Sequence, residues 1–158
     1  MIAILASISL LAFQGVQEKA RLSKIQHDIS ELYSAAVAAR EVTGKTIGQI
    51  SGNGYGIGGM AAACRNVHPA GTDIAALPKT DNCWVGYNRL LSRISEATGK
   101  DVRNLVDPWG RPYVFGEVEA PNNCRVDTIS ALTYPYNNWS VMPNTQVTIP
   151  RLTPGVGC

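Results

Sequence analysis

Hydrophobic and polar residues change their pattern abruptly near residue 14. Met1–Phe13 (MIAILASISLLAF) carries no charge. From Gln14 to Glu41 the chain is polar, with Val16, Ala20, Ile25, Ile29, Leu32, Tyr33, Ala36 and Val37 recurring at helical spacing. Glu18, Lys19, Arg21, Lys24, Gln26, Asp28 and Glu31 fill the remaining faces. No proline interrupts the run before Pro69. The pattern predicts one continuous helix over residues 1–43, apolar over 1–13 and amphipathic over 14–43, stopped at Gly44 as a C′ residue. At ~1.5 Å per residue such a helix is roughly 60 Å long, more than a small domain can cover. Gly15 weakens it locally by ~1 kcal/mol relative to alanine.

Residues 44–158 read as a separate globular head. A glycine-rich stretch, Ser51–Gly59, opens it. Within it Gly54, Gly56 and Gly59 match GxGxxG, but no strand precedes them, so a turning loop is the better reading than a phosphate cradle. Trp84–Thr98 predicts a second helix, with Leu90, Leu91 and Ile94 on one face and Gly99 as its stop. Three β-rich pieces follow: Pro112–Val118, Arg125–Leu132 and Thr145–Arg151. Pro135, Pro143, Pro150 and Pro154 confine any late strand to an edge. The order is long helix, loop, short helix and β-meander, an α+β arrangement in which the long helix packs on a small antiparallel sheet. Ile25, Ile29, Leu32 and Val37 are the expected helix–head contacts. Ile2, Ile4, Leu5, Ile8, Leu10, Leu11 and Phe13 form an apolar surface that must be buried by something outside the chain's own head, a membrane or a partner helix.

The 158 residues suffice for one modest domain plus this helix. Charged residues make up 16% of the chain against roughly 25% in an average soluble protein. The formal charge of +2, without a basic run interleaved with aromatics, gives no footprint for specific nucleic-acid binding. Four cysteines, Cys64, Cys83, Cys124 and Cys158, lie far apart. No CxxC pair occurs and the two histidines, His27 and His68, are distant, so neither a metal nor another cofactor is expected. An even, widely spaced set reads as two disulfides in an oxidising compartment. Sequential loops close with least entropy, which favours Cys64–Cys83 and Cys124–Cys158. Met1–Phe13 is too short to span a bilayer, which needs about 20 apolar residues. It also lacks the basic flank of a signal peptide. It reads as the remainder of a longer apolar segment.

Two stretches resemble the type IV pilins and the major pseudopilins of type II secretion systems. One is Gly15–Leu32 (GVQEKARLSKIQHDISEL), similar to the family's E-K-A…K…D-I start of the amphipathic half-helix. The other is Asp107-Pro108-Trp109-Gly110-Arg111-Pro112-Tyr113, similar to its DPWG-x-P-Y turn. Val126–Ser130 resembles the strand that follows. Chemically, this turn needs no family to explain it. Asp107 caps, Pro108 fixes φ, Gly110 tolerates positive φ, and Trp109 can bury its ring as an anchor.

The resemblance implies a filament subunit and no enzyme. It implies a methylated aromatic first residue, a glutamate near it and a peptidase-cleaved leader, all ahead of Met1. The partners implied are further copies of the chain, an inner-membrane assembly platform and a prepilin peptidase, with the membrane holding the helix before assembly and the cell surface holding the filament. At the pseudopilin calcium loop stands Ser130-Ala131-Leu132-Thr133. Asp127 alone does not supply the roughly six to eight oxygens that calcium takes. A major pilin of an extracellular filament serving adhesion, motility or DNA uptake is the leading reading. A secretion pseudopilin, a membrane-anchored enzyme and a secreted binding module are the alternatives. No HExxH or GxSxG is present to support the enzyme. Asn138-Trp139-Ser140 is a glycosylation sequon.

Overall fold

A computed structural model describes residues 15–54, 64, 68–69, 71–133 and 140–152 in full, and residues 2–14 as helical backbone. The first helix, α1 (Ile2–Thr43), is 42 residues long and unbroken through Gly15. It stops where Gly44 turns left-handed, at φ 65°. Four residues later a short helix, α2 (Ile47–Ser51), begins at a capping box in which Thr46 and Gln49 satisfy each other's backbone amides. A single 3-10 turn, Ile74–Ala76, precedes helix α3 (Asn82–Thr98). Asp81 caps α3, and Gly99 ends it at φ 72°. Three short strands follow, β1 (Val114–Gly116), β2 (Thr128–Ser130) and β3 (Val147–Thr148). They form an antiparallel sheet in the order β1-β2-β3. The protein is therefore α+β, a long N-terminal helix with a small antiparallel sheet.

The core lies where α1, α3 and the sheet meet. It takes Ile25, Ile29, Leu32, Ala35, Ala36 and Ala39 from α1, and Trp84, Tyr87, Leu90, Leu91 and Ile94 from α3. From the sheet and its approach come Tyr113, Phe115 and Ile129. Phe115 and Ile129 are directly opposed across β1 and β2, the pairing that stabilises an antiparallel ladder most directly. Beside them Gly116 faces Thr128 so closely that a Cβ would lie 2.6 Å from its Oγ1. A side chain there would force the Thr128 hydroxyl to move.

The strands fall inside the expected β-rich pieces but are shorter. Side chains capture the amides that would have extended them. Asp127 Oδ1 accepts from the N–H groups of Val118 and Glu119, both at 2.8 Å, which ends β1 in a turn. Beyond β2, Thr145 Oγ1 accepts from the Ala131 N–H. The ladder resumes only as the Leu132–Val141 bridge.

The helical stripe is corrected at its front. Every residue from Gly15 to Lys24 is exposed, including Val16, 64% exposed, and Ala20. Head packing starts at Ile25. Asp28, expected on a solvent face, is 3% exposed. Val37 is half-buried against the core.

Cys64 and Cys83 form a disulfide with their Cα atoms 4.7 Å apart, the first of the two expected pairs. Cys124 is disulfide-bonded. Cys158, the partner expected for it, lies outside the described residues, as do Asn138, Gly56 and Gly59.

Burial separates the two parts of α1 energetically. Leu32→Ala removes a fully buried side chain and lowers unfolding stability by ~2–5 kcal/mol. Val16→Ala stays within ~0.5 kcal/mol of the parent, as surface changes do. Urea unfolding of the two variants checks this; equal losses would contradict it.

Candidate functional site

Two features of α1 stand out: its exposed start, and the joint that holds the rest of the helix to the head. Within the joint, buried polar side chains flank the apolar stripe of α1 at both ends.

At the front of the joint stands Asp28. Its Oδ2 accepts from the Tyr113 hydroxyl at 2.7 Å and is ion-paired to Lys24 one helical turn earlier. Lys24 Nζ also donates to the Val106 carbonyl at 2.9 Å. Two contacts, Tyr113 to Asp28 and Lys24 to Val106, thus tie one turn of α1 to the segment entering β1. A buried carboxylate is tolerable only with such compensation. Burial, and then the Asp28 charge, push the Tyr113 phenol well above its ordinary range. Tyr87, fully buried beside Phe115, is pushed up chiefly by burial. Its hydroxyl donates to the Leu105 carbonyl at 2.7 Å.

At the far end of α1, Arg40 pairs with Glu119 at 2.6 Å, their side chains 3% and 0% exposed. Glu119 Oε1 also accepts from the Leu152 N–H at 2.8 Å. One carboxylate therefore links α1, the turn after β1 and the segment after β3. Glu117 accepts from Ser51 Oγ at 2.7 Å and from Asn53 Nδ2. Asp127 accepts a third amide, Ile47 N–H at the start of α2, at 3.2 Å. Its oxygens are engaged as a cap.

The DPWGRPY segment is the third part of the joint, where Trp109 packs partly buried against the core and a buried ion pair adds to the expected aromatic anchor. Asp107 Oδ1 accepts from the N–H groups of Trp109, 2.9 Å, and Arg111, 2.8 Å. The Gly110 amide bonds the Asp107 carbonyl, with Gly110 at φ 76°. The Arg111 guanidinium then grips Asp107 Oδ2 through Nε at 2.7 Å and Nη2 at 2.6 Å. It donates onward to the carbonyls of Thr133 and Leu132. Arg111 is 1% exposed and Tyr113 fully buried. Trp109 is only half-buried, its ring bracketed by the guanidinium carbons of Arg21 at 5.7 Å and Arg111 at 5.0 Å. The buried Asp107–Arg111 pair joins Trp109 in anchoring this turn, while Pro108 and Pro112 shape it. Arg111 was absent from the residues expected to matter. Its signal was an arginine four residues after an aspartate in a turn, but its carbonyl acceptors lie some twenty positions further along.

Trp109 also faces the exposed start of α1. Gln17, Glu18, Arg21 and Leu22 from α1, with Trp109, Met142 and Pro143 from the head, line an open groove of about 510 Å³. Leu22 is an exposed large apolar side chain in this groove. The side chains of Ile2, Ile4, Leu5, Ile8, Leu10, Leu11 and Phe13 lie outside the described residues; their backbone is helical and continuous with this surface. No helix among the described residues is long and apolar enough to cross a membrane.

A separate cluster gathers His68, Asp81 and Cys83, whose ligand-type atoms lie within 4.8 Å of one another. His68 Nε2 is 3.1 Å from Asp81 Oδ1. The Cys83 amide donates to that same oxygen at 2.9 Å and holds the carboxyl below the usual range, with His68 adding to the effect. In the disulfide form Cys83 offers no thiolate. His27 sits elsewhere, on the exposed face of α1 beside Glu31.

Two outcomes follow from the joint. Arg111→Ala strands Asp107 buried and unpaired, and lowers stability by ~3–5 kcal/mol. Trp109→Phe keeps an aromatic ring against the core and removes no charge partner, so it costs less, on the order of 1 kcal/mol. Denaturant unfolding distinguishes the two, and an Arg111→Ala loss no larger than that of Trp109→Phe would contradict the assignment. Second, Tyr87 and Tyr113 stay protonated in the fold, whereas unfolded tyrosines ionise near ~10. Above about pH 10 the native state binds more protons than the unfolded one, so stability is full below that pH and falls above it. Tyr113→Phe starts lower at neutral pH but declines less steeply. A urea midpoint whose alkaline slope is unchanged in Tyr113→Phe would contradict the phenol's role.

No protein-family model matches the chain, and neither a curated protein nor a solved structure matches it.

Proposed function

We propose that this chain is a structural filament subunit of the type IV pilin kind, which polymerises through α1. One observation carries the reading: α1 is continuous from Ile2 to Thr43, yet its described residues before Ile25 are all exposed. A helix of that length standing off its own head gains stability only by packing elsewhere. The EKARLSKIQHDI and DPWGRPY resemblances, and the layout of long helix, short helix and small sheet, support the same reading.

The mechanism is assembly. Ile2, Ile4, Leu5, Ile8, Leu10, Leu11 and Phe13 leave lipid for a bundle of identical helices. They exchange one apolar surrounding for another, so extraction from the bilayer costs little hydrophobic energy. Exposing them to water instead would cost roughly 10–20 kcal/mol per subunit at ~1.5–3 kcal/mol each. That difference favours bundle or membrane over free monomer. The buried joint holds the head rigidly on the other half of α1, so the heads form the outer surface of an extracellular filament. The inner-membrane assembly platform and prepilin peptidase are the partners this role requires. No nucleotide chemistry is assigned to the chain itself.

Removing Met1–Phe13 yields a monomeric head that retains its fold and forms no filaments. Sedimentation velocity and negative-stain microscopy of the truncated and full chains check this. Filaments from the truncated chain would overturn the proposal.

A further inference from the structure

The cluster beside the first disulfide holds more ligand-type atoms than a structural cross-link needs. Cys64 and Cys83 are both fully buried, so two sulfurs sit together beneath the surface. His68 and Asp81 lie beside Cys83, with side chains 14% and 18% exposed, and Cys64 joins them through its bond to Cys83. The His68–Asp81 near-contact of 3.1 Å approaches the ~3.3 Å between two tetrahedral ligands placed ~2.0–2.1 Å from a zinc ion. The four groups come from two places in the chain. Cys64 and His68 stand one helical turn apart, with the His68 N–H on the Cys64 carbonyl at 3.2 Å. Asp81 and Cys83 flank the start of α3, where the Cys83 amide orients the carboxylate. Metal-binding side chains are commonly steadied by such outer hydrogen bonds.

We propose that, with Cys64 and Cys83 as thiols, this cluster binds one zinc-class divalent cation through Cys64 Sγ, Cys83 Sγ, His68 Nε2 and Asp81 Oδ1. Two sulfurs, one imidazole and one carboxylate suit a borderline-soft tetrahedral ion and do not suit calcium or magnesium. Binding displaces the two thiol protons. Forming the disulfide then expels the metal. A disulfide oxidant R–S–S–R takes two electrons from the metal-bound thiolates, Cys64 Sγ bonds to Cys83 Sγ, two R–S⁻ take up two protons, and the cation leaves. The site therefore belongs to the chain before cross-linking, and the metal delays the cross-link.

Cobalt titration of the full chain, reduced with a phosphine, tests this. The reduced chain develops thiolate-to-cobalt and tetrahedral bands that saturate at one equivalent and are bleached by zinc; the oxidised chain develops neither. Cys83→Ser abolishes the bands and Cys124→Ser keeps them. His68→Gln and Asp81→Asn, each first shown by circular dichroism to fold when oxidised, weaken cobalt binding on the order of 10-fold or more. One equivalent of zinc slows re-formation of the Cys64–Cys83 bond by a glutathione disulfide buffer in the parent but not in His68→Gln. The proposal is overturned if the reduced parent binds no cobalt, whether folded or not. It is also overturned if the bands follow Cys124 rather than Cys83, or if both His68→Gln and Asp81→Asn bind like the parent.

Discussion

The buried Arg40–Glu119 pair is the constraint on which the rest of the head depends. It joins the last turn of α1 to the turn after β1, and Glu119 carries the link on to Leu152 after β3. Arg40 Nη1 is itself buried without a hydrogen-bond partner, so the pair bears a desolvation cost that its geometry does not fully offset. An apolar pair of similar volume could pack there without that cost. What a buried ion pair adds is a single allowed register. Apolar residues on a helix can slide by a turn and still be covered, but a guanidinium cannot leave its carboxylate in a dry core.

The same logic repeats along α1. Asp28 meets Tyr113 at the front, Arg40 meets Glu119 at the back, and the aliphatic stripe of Ile25, Ile29 and Leu32 fills the space between. Asp107 and Arg111 lock the entry to β1 to the carbonyls that follow β2. Three ionised or charge-assisted contacts thereby define where the helix sits and where the sheet begins, although the sheet has only two- and three-residue strands. Under the proposed filament role, a head fixed at both ends of the buried half of α1 would transmit load without sliding.

Local chemistry made much of this legible. Gly44 and Gly99 end their helices in the left-handed conformation that glycine permits, and the helical spacing of Leu90, Leu91 and Ile94 marked the inner face of α3. The Cys64–Cys83 pairing followed from loop entropy. What stayed hidden depended on partners distant in sequence. Asp28 looked like one more charge on a solvent face, because its partner Tyr113 lies 85 positions away. Arg111 stood within a turn motif whose other residues carried the reading, and its acceptors Leu132 and Thr133 lie far along the chain. Val16 and Ala20 continued the stripe, but the head ends before reaching them, so periodicity alone overstated its extent. Helix α2 was missed although Thr46 and Gln49 spelled a capping box, because five residues are too few to show a period. His68 showed only that it lies far from His27, since its neighbour Asp81 stands 13 positions away in the chain.

The central claim is that the exposed start of α1 is covered by other copies of itself. Cryo-electron microscopy of the assembled full chain measures this directly. The account predicts filaments whose axis is a bundle of α1 segments over residues 2–24, with the sheets and the Cys64–Cys83 loops outside. Filaments held together through the heads, with the α1 segments left in solvent, would contradict it.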